Sequence, residues 1–213
     1  MKNSKIKDLQ PITLPEPVFE RSGTVFEALR IRRTSRDIGN QRISLQILGD
    51  ILWAAQGVNR VRGPFERQGR TAGSASNAQE ICVYVAREDG TYLYDPDVHR
   101  LIPVTSDDNR ALAIGPGQGS AGANTPVRLI YVVDLDRFRH AGFQEPGLYD
   151  PEIQKSYYFV DTGLIAQNVY LASYALGLAS WFHNCNKAAL QQKLSLEPQQ
   201  RALFGQTIGY ADD

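Results

Sequence analysis

The sequence predicts an α+β fold: one sheet flanked by helices, without regular βαβ units. Three observations carry this expectation. Residues 44–56 and 158–176 place apolar side chains at the spacing of a helix face. Residues 81–86, 91–94 and 100–104 are short β-prone runs, and Val127–Val133 is almost unbroken apolar sequence, as a central strand requires. The order of these segments lacks the strict strand–helix alternation of a parallel doubly wound sheet.

Residues 1–23 read as an extended lead-in, because Pro11, Pro15 and Pro17 block regular structure. Residues 24–213 follow as a single domain. Thr24 and Glu27 have capping-box spacing and open a helix toward Arg33. Ser44 opens a second helix with Leu45, Leu48, Ile51, Leu52 and Ala55 on one face, and Gly57 stops it. Trp53 on that helix reads as core. Residues 57–73 read as a basic loop. The runs at 81–86, 91–94 and 100–104 form a meander turning at Glu88–Gly90, followed by the Gly-rich stretch Gly115–Gly122. The longest helix is expected from Tyr158 to Leu176, with Gly177 ending it and Leu178–Phe182 forming a short strand. A helix over Lys187–Leu194 and a closing strand over Gln206–Tyr210 complete the chain.

Composition narrows the function classes. Lys plus Arg (23) equals Asp plus Glu (23), which argues against a nucleic-acid surface. Two cysteines, Cys82 and Cys185, are too few for a disulfide framework and point to a reducing, cytoplasmic setting. No apolar run has the length of a membrane span. The opening MKNSKIKDLQ lacks the apolar core of a signal peptide.

Two polar clusters carry chemistry. Arg32-Arg33-Thr34-Ser35-Arg36 sets three guanidinium groups and two hydroxyls at the end of a helix. Guanidinium groups fork a phosphate through charge-assisted hydrogen bonds, and the hydroxyls suit a polyol. Taken alone, such a run is as readily a solvated helix end. The second cluster, Gly73-Ser74-Ala75-Ser76-Asn77-Ala78-Gln79, puts a hydroxyl and two amides on a turn just before a buried strand. Those groups match a ligand edge of alternating donors and acceptors, or simply bond the local backbone. His183 and Cys185 stand close in sequence, but no third group orients them as a nucleophile pair, and they are too few for a metal site. The stretch Gly115-Pro116-Gly117-Gln118-Gly119 is not a dinucleotide-binding loop, since Pro116 makes a poor helix opening.

Together and in this order the motifs resemble the nitroreductase superfamily of FMN enzymes. The arginine run stands where that family has Arg-Arg-Ser-x-Arg, and "LGDILWAAQG" looks like its branch containing peptide azoline dehydrogenases. Ser74 through Gln79 stand where it has Ser-x-x-Asn-x-Gln. Gly117-Gln118 with Thr125-Pro126-Val127, and "GLIAQNVYLASYALGL" from Gly163, are similar to its middle portion and central helix.

The resemblance implies a nitroreductase-like fold, with a central mixed or antiparallel sheet, in an intertwined homodimer that has FMN at the interface. It places Arg32, Arg33, Thr34 and Arg36 on the phosphate and ribityl chain. Ser74, Asn77 and Gln79 fall along the ring, and backbone at Ser180–Trp181 reaches the flavin from the partner subunit. Tyr157, Tyr158 and His183 are substrate-side candidates, and no protein group is required as a catalytic acid or base. The implied reaction is two-electron transfer from NADH or NADPH to a nitroaromatic, quinone or similar acceptor. Oxidation of a peptide-derived heterocycle, or flavin binding without turnover, are the alternatives. The chain departs from the family pattern at Gly73 and Glu80, where proline is common. It departs again at Tyr210-Ala211-Asp212-Asp213, where a basic residue usually closes on the phosphate; Arg70 is the expected substitute.

Overall fold

A computed structural model describes residues 9–20, 23–118 and 125–212. The opening eight residues and positions 119–122 of the Gly-rich stretch therefore lie outside the described residues.

The architecture is α+β around a seven-stranded sheet. In chain order the elements are β1 (Ile12–Thr13), α1 (Val25–Ile31), α2 (Leu45–Gln56), β2 (Val58–Arg60), β3 (Gly69–Arg70), β4 (Ile81–Arg87), β5 (Gly90–Asp95), β6 (Arg100–Thr105), β7 (Val127–Asp134), α3 (Pro151–Ala175), β8 (Ala179–His183), α4 (Lys187–Lys193) and β9 (Gln200–Gly209). The sheet order is β1-β6-β5-β4-β7-β9-β8, and every pairing is antiparallel.

Burial on both faces explains why β4 and β7 read as continuous apolar runs. Side chains alternate across a strand. Ile81, Val83 and Val85 of β4, with Leu129, Tyr131 and Val133 of β7, join Leu48, Ile51 and Leu52 of α2 and Ile165 and Val169 of α3 in one core. Their neighbours Cys82, Tyr84, Ala86, Ile130 and Val132 pack on the opposite face with Leu190 and Leu194 around α4. The sheet is thus the middle layer.

Helix starts follow their caps. Thr24 Oγ1 accepts from Glu27 N while Glu27 Oε2 accepts from Thr24 N, closing the expected capping box. Ser44 caps α2 through Ile47 N. α3 begins seven residues before its apolar periodicity does, because Asp150 accepts from the amides of Glu152 and Ile153 and Pro151 occupies the first helical position. After α3, Gly177 takes φ +72°, a left-handed turn that favours glycine.

Two segments are more ordered than expected. The 57–73 loop carries the β2–β3 hairpin, with Trp53 Nε1 donating to Val58 O. Trp53 is half-buried, not core, and Phe19 of the lead-in packs edge-on against it at 4.8 Å between centroids. The lead-in is extended, as the prolines require, but docked: Ile12 and Thr13 pair with Leu101 and Arg100 at the sheet edge, where missing amide donors are tolerated. Beyond it, Leu14 N donates to His99 O and His99 Nε2 to Pro15 O, so Tyr94 Oη donates to His99 Nδ1. The closing strand is also longer than expected, since β9 pairs with β7 from Gln200 onward.

Candidate functional site

The arginine run leaves α1 at Arg32 and crosses the C-terminal half of α3 to the start of β8. Ser35 N donates to Ser180 O at 3.1 Å and Tyr174 Oη to Arg33 O at 2.6 Å. Tyr170 Oη accepts from Phe182 N at 2.7 Å and shares a hydrogen bond with Thr34 Oγ1 at 3.2 Å. The Arg32 guanidinium lies 5.3 Å from the Tyr170 ring centroid, and that of Arg36 lies 5.2 Å from the Trp181 ring. Among the described residues none of Arg32, Arg33 and Arg36 has a carboxylate partner. The run is held in place through its backbone, Thr34 and the aromatic rings, which leaves its guanidinium hydrogens open to an anion.

Ser180 and Trp181 are buried against these arginines of their own chain. Ser180 Oγ accepts from Gln206 Nε2 at 2.9 Å, and Tyr131 Oη donates to Gln206 Oε1 at 2.5 Å. Within one chain this strand is the floor beneath the arginine run.

The second cluster is a strained turn. Ser76, Asn77 and Gln79 all have φ between 50° and 55°, an uncommon region for residues with a Cβ. The turn is held from inside. Gln79 Nε2 donates to Gln68 O and Asn77 Oδ1, both at 2.8 Å, and Gln79 Oε1 accepts from Arg70 Nε at 2.9 Å. Asn77 Nδ2 donates to Gln68 O. The amides of Asn77 and Gln79 thus bond each other and a loop carbonyl. Ser74 Oγ accepts from Gln79 N at 3.0 Å, which leaves its hydroxyl hydrogen to donate outward. Arg70 donates from Nε to Gln79 and from Nη2 to Asp97 at 2.6 Å, while its Nη1 is buried without a hydrogen-bond partner among the described residues. From α3, Asp161 Oδ2 accepts from Ala75 N at 2.9 Å. Arg70, Ser74, Gln79 and Asp161 also line a cavity of about 10 Å³, room for one water.

Of the substrate-side candidates, Tyr157 is half-buried and donates to Glu145 Oε1 at 3.0 Å. Tyr158 is core, with its ring on Phe159. His183 is buried, donates from Nδ1 to Asn184 O and accepts at Nε2 from Thr207 Oγ1, and burial pushes it down to about 4. The apolar spacing of α3 and the inward register of β8 bury Tyr158 and His183 within the chain. Thr207 Oγ1 in turn accepts from Nε of buried Arg128, whose guanidinium burial lowers to about 10. Cys185 is buried and its thiol is raised to about 11. Cys185→Ala is accordingly expected to leave turnover within about twofold of wild type, since the thiolate is the reactive form; a loss of activity with flavin retained would mark it as a nucleophile.

An open groove of about 570 Å³ shares no lining residue with either cluster. Its arginines Arg42, Arg87 and Arg110 are paired with Glu88, Asp89 and Asp108. Among the described residues no group of three His, Cys, Asp or Glu side chains could hold a metal ion, and no helix is long and apolar enough to cross a membrane. Sequence reading missed Tyr170, Tyr174 and Asp161. The two tyrosines lie one turn apart on α3, a spacing that marks a shared face.

This geometry is that of a nitroreductase-like α+β fold. The comparisons agree: the family model described as Nitroreductase family matches residues 29–210. The chain belongs to the nitroreductase family, whose fold and chemistry define a flavin-dependent oxidoreductase. A crystal structure from Ralstonia eutropha JMP134, assigned as a nitroreductase, is 31% identical, covers 95% of this chain and 90% of its own, and superposes with a TM-score of 0.82. A Methanocaldococcus jannaschii protein with the same assignment is 28% identical over 160 residues, 70% of this chain and 72% of its own. A chain of the E. coli microcin synthetase complex shares the fold alone, at 16% identity, 93% and 79% coverage and a TM-score of 0.67.

Proposed function

We propose that this protein binds FMN and transfers two electrons from NADH or NADPH to a nitroaromatic, quinone or similar small acceptor in the cytoplasm. The observation that carries the reading is the arginine run, three guanidinium groups without carboxylate partners among the described residues, with Arg32 over the Tyr170 ring and Arg36 over Trp181. Arg32 and Arg36 would fork the phosphate, with Arg33 beside them and Thr34 on the ribityl chain. The Ser74 hydroxyl, whose oxygen is already occupied by Gln79 N, would donate to the polar edge of the ring. When bound, FMN supplies the hydride chemistry. The chain's part is to hold it, to place donors where charge develops, and to exclude water.

Residues 24–213 would act as one flavin-binding unit, with the lead-in as its strap. A homodimer is part of the reading. Asp161, under the Ser74 turn, and Tyr170, under the arginine run, are nine residues or about two and a half helical turns apart, and so lie on opposite sides of α3. One chain thus turns its two half-sites in different directions, and a second copy would bring complementary halves together. α1 packs on α3, and the two expose Val25, Phe26 (83%), Leu29, Val160 (61%) and Leu164, apolar surface suited to such an interface.

The test starts with protein purified in FMN-supplemented buffer and then desalted. Retained FMN absorbance, a sedimentation mass of two chains, and steady oxidation of NADH or NADPH with a quinone are the expected results. Colour without turnover across nitroaromatic and quinone acceptors would overturn the enzymatic reading. Colourless protein would overturn FMN binding itself.

A further inference from the structure

Glu80 is fully buried at the entrance to β4, directly after the Ser74–Gln79 turn. Among the described residues neither of its carboxyl oxygens has a well-formed hydrogen bond. The group that acts on it is the Asp161 carboxyl of α3, itself buried and engaged through Oδ2 with Ala75 N. Two ionised carboxylates cannot share such a site, because each lacks water to screen the other. Arg137 opposes the upward shift of the Glu80 carboxyl only weakly, acting after burial and Asp161 in order of size. Arg137 donates from Nη1 to Gln79 O and is itself exposed. The Cys82 thiol on the same strand is raised to about 11 by burial.

We propose that Glu80 and Asp161 form a carboxyl pair holding one proton between them, and that this pair, through the Asp161–Ala75 bond, fixes the strained Ser74–Gln79 turn in its ligand-binding shape. The role is one of positioning, and its link to flavin rests on the proposed function above. Burial first, and Asp161 second, hold the Glu80 carboxyl well above the usual carboxylate range, so Glu80 carries the proton and Asp161 stays an acceptor for Ala75 N. Asp161 is also raised, by burial.

The sign of the linkage follows. Glu80 binds its proton more tightly folded than unfolded, so the folded state loses relative stability as pH rises from the unfolded value, about 4, toward the native one. Full loss of the proton leaves two buried negative charges beneath the turn and loosens it.

The experiment uses the intact flavin-free protein. Infrared spectra of the wild type at neutral pH should contain the carbonyl stretch of a buried protonated carboxyl, absent in Glu80→Gln. Thermal melts should show Glu80→Gln matching the wild type below about pH 4 and exceeding it increasingly above. Hydrogen exchange at the Ala75 amide should accelerate at least about tenfold in Asp161→Ala, the shift expected for one lost hydrogen bond to a charged acceptor. Wild-type protection there should also decline at high pH while that of Glu80→Gln does not. No protonated-carboxyl band in the folded wild type, or parallel pH profiles for wild type and Glu80→Gln, would overturn the pair. Unchanged Ala75 protection in Asp161→Ala would overturn the latch. Should a variant not fold, the wild-type spectrum and its pH dependence still decide. FMN retention, measured separately, should fall with rising pH in the wild type more steeply than in Glu80→Gln. If FMN never binds while the spectra behave as expected, the flavin reading fails and the pair stands.

Discussion

Replacing Arg32 and Arg36 together by alanine is expected to strip FMN from the protein and weaken its Kd by roughly two to four orders of magnitude. Each guanidinium would donate charge-assisted hydrogen bonds to a phosphate dianion, and a hydrogen bond to a charged group contributes about 1.5–3 kcal/mol. Two such losses give the expected range, a tenfold change corresponding to about 1.4 kcal/mol. The competing account is that these arginines serve only the fold, through their contacts with the Tyr170 and Trp181 rings. Exposed contacts of that kind contribute about 0.5–1 kcal/mol each, so the structural cost is a few degrees of Tm. Equilibrium dialysis against FMN, beside a thermal melt of the flavin-free variant, separates the two. A variant that melts near wild type and keeps its flavin would remove the phosphate site from this end of α1. Arg36→Lys should retain part of the affinity, since an ammonium keeps the charge and loses the fork.

The largest effect on stability is expected at a glycine far from any ligand. Gly205 of β9 pairs between His183 of β8 and Ile130 of β7. A Cβ built there would lie 2.1 Å from the Ala113 carbonyl oxygen and 2.7 Å from His183 Cε1. Neither neighbour yields cheaply. The carbonyl is backbone, and the imidazole is pinned by Asn184 O on one side and Thr207 Oγ1 on the other. Gly205→Ala should therefore destabilise by about 3 kcal/mol or more, the upper end of overpacking costs, read as a lowered midpoint in urea. Gly163→Ala is the contrast: a Cβ on that exposed position of α3 meets nothing within 4 Å. Removing a helical glycine there should be neutral or gain up to about 1 kcal/mol. A wild-type midpoint for Gly205→Ala would mean that β9 and the Ala113 segment do not approach as described.

Both expectations depend on long-range neighbours, and that is where sequence reading ran out. It located α2 because Ser44 and a regular apolar face are local facts, and β4 and β7 because burial on both faces leaves an unbroken apolar run. It also located the two polar clusters and their order, enough for the family and the fold. It missed the first turns of α3, where Glu152, Lys155 and Ser156 are exposed and show no apolar spacing, although Asp150-Pro151 is a local start signal. It read residues 57–73 as a loop because the β2–β3 hairpin is held by its backbone and by Trp53.

Within the site, residue type fixed what each polar group is able to bond, and the tertiary structure decided what it does bond. Asn77 and Gln79 carry the right chemistry for a ligand edge, and within the chain they bond Gln68, Arg70 and each other. Thr34 meets Tyr170 from 136 positions away, and Ala75 meets Asp161 from 86. Periodicity records which face of an element is buried, because burial acts on the segment alone. The partner of a hydrogen-bonding group is chosen by whichever distant segment packing brings within about 3 Å, and no local pattern encodes that choice.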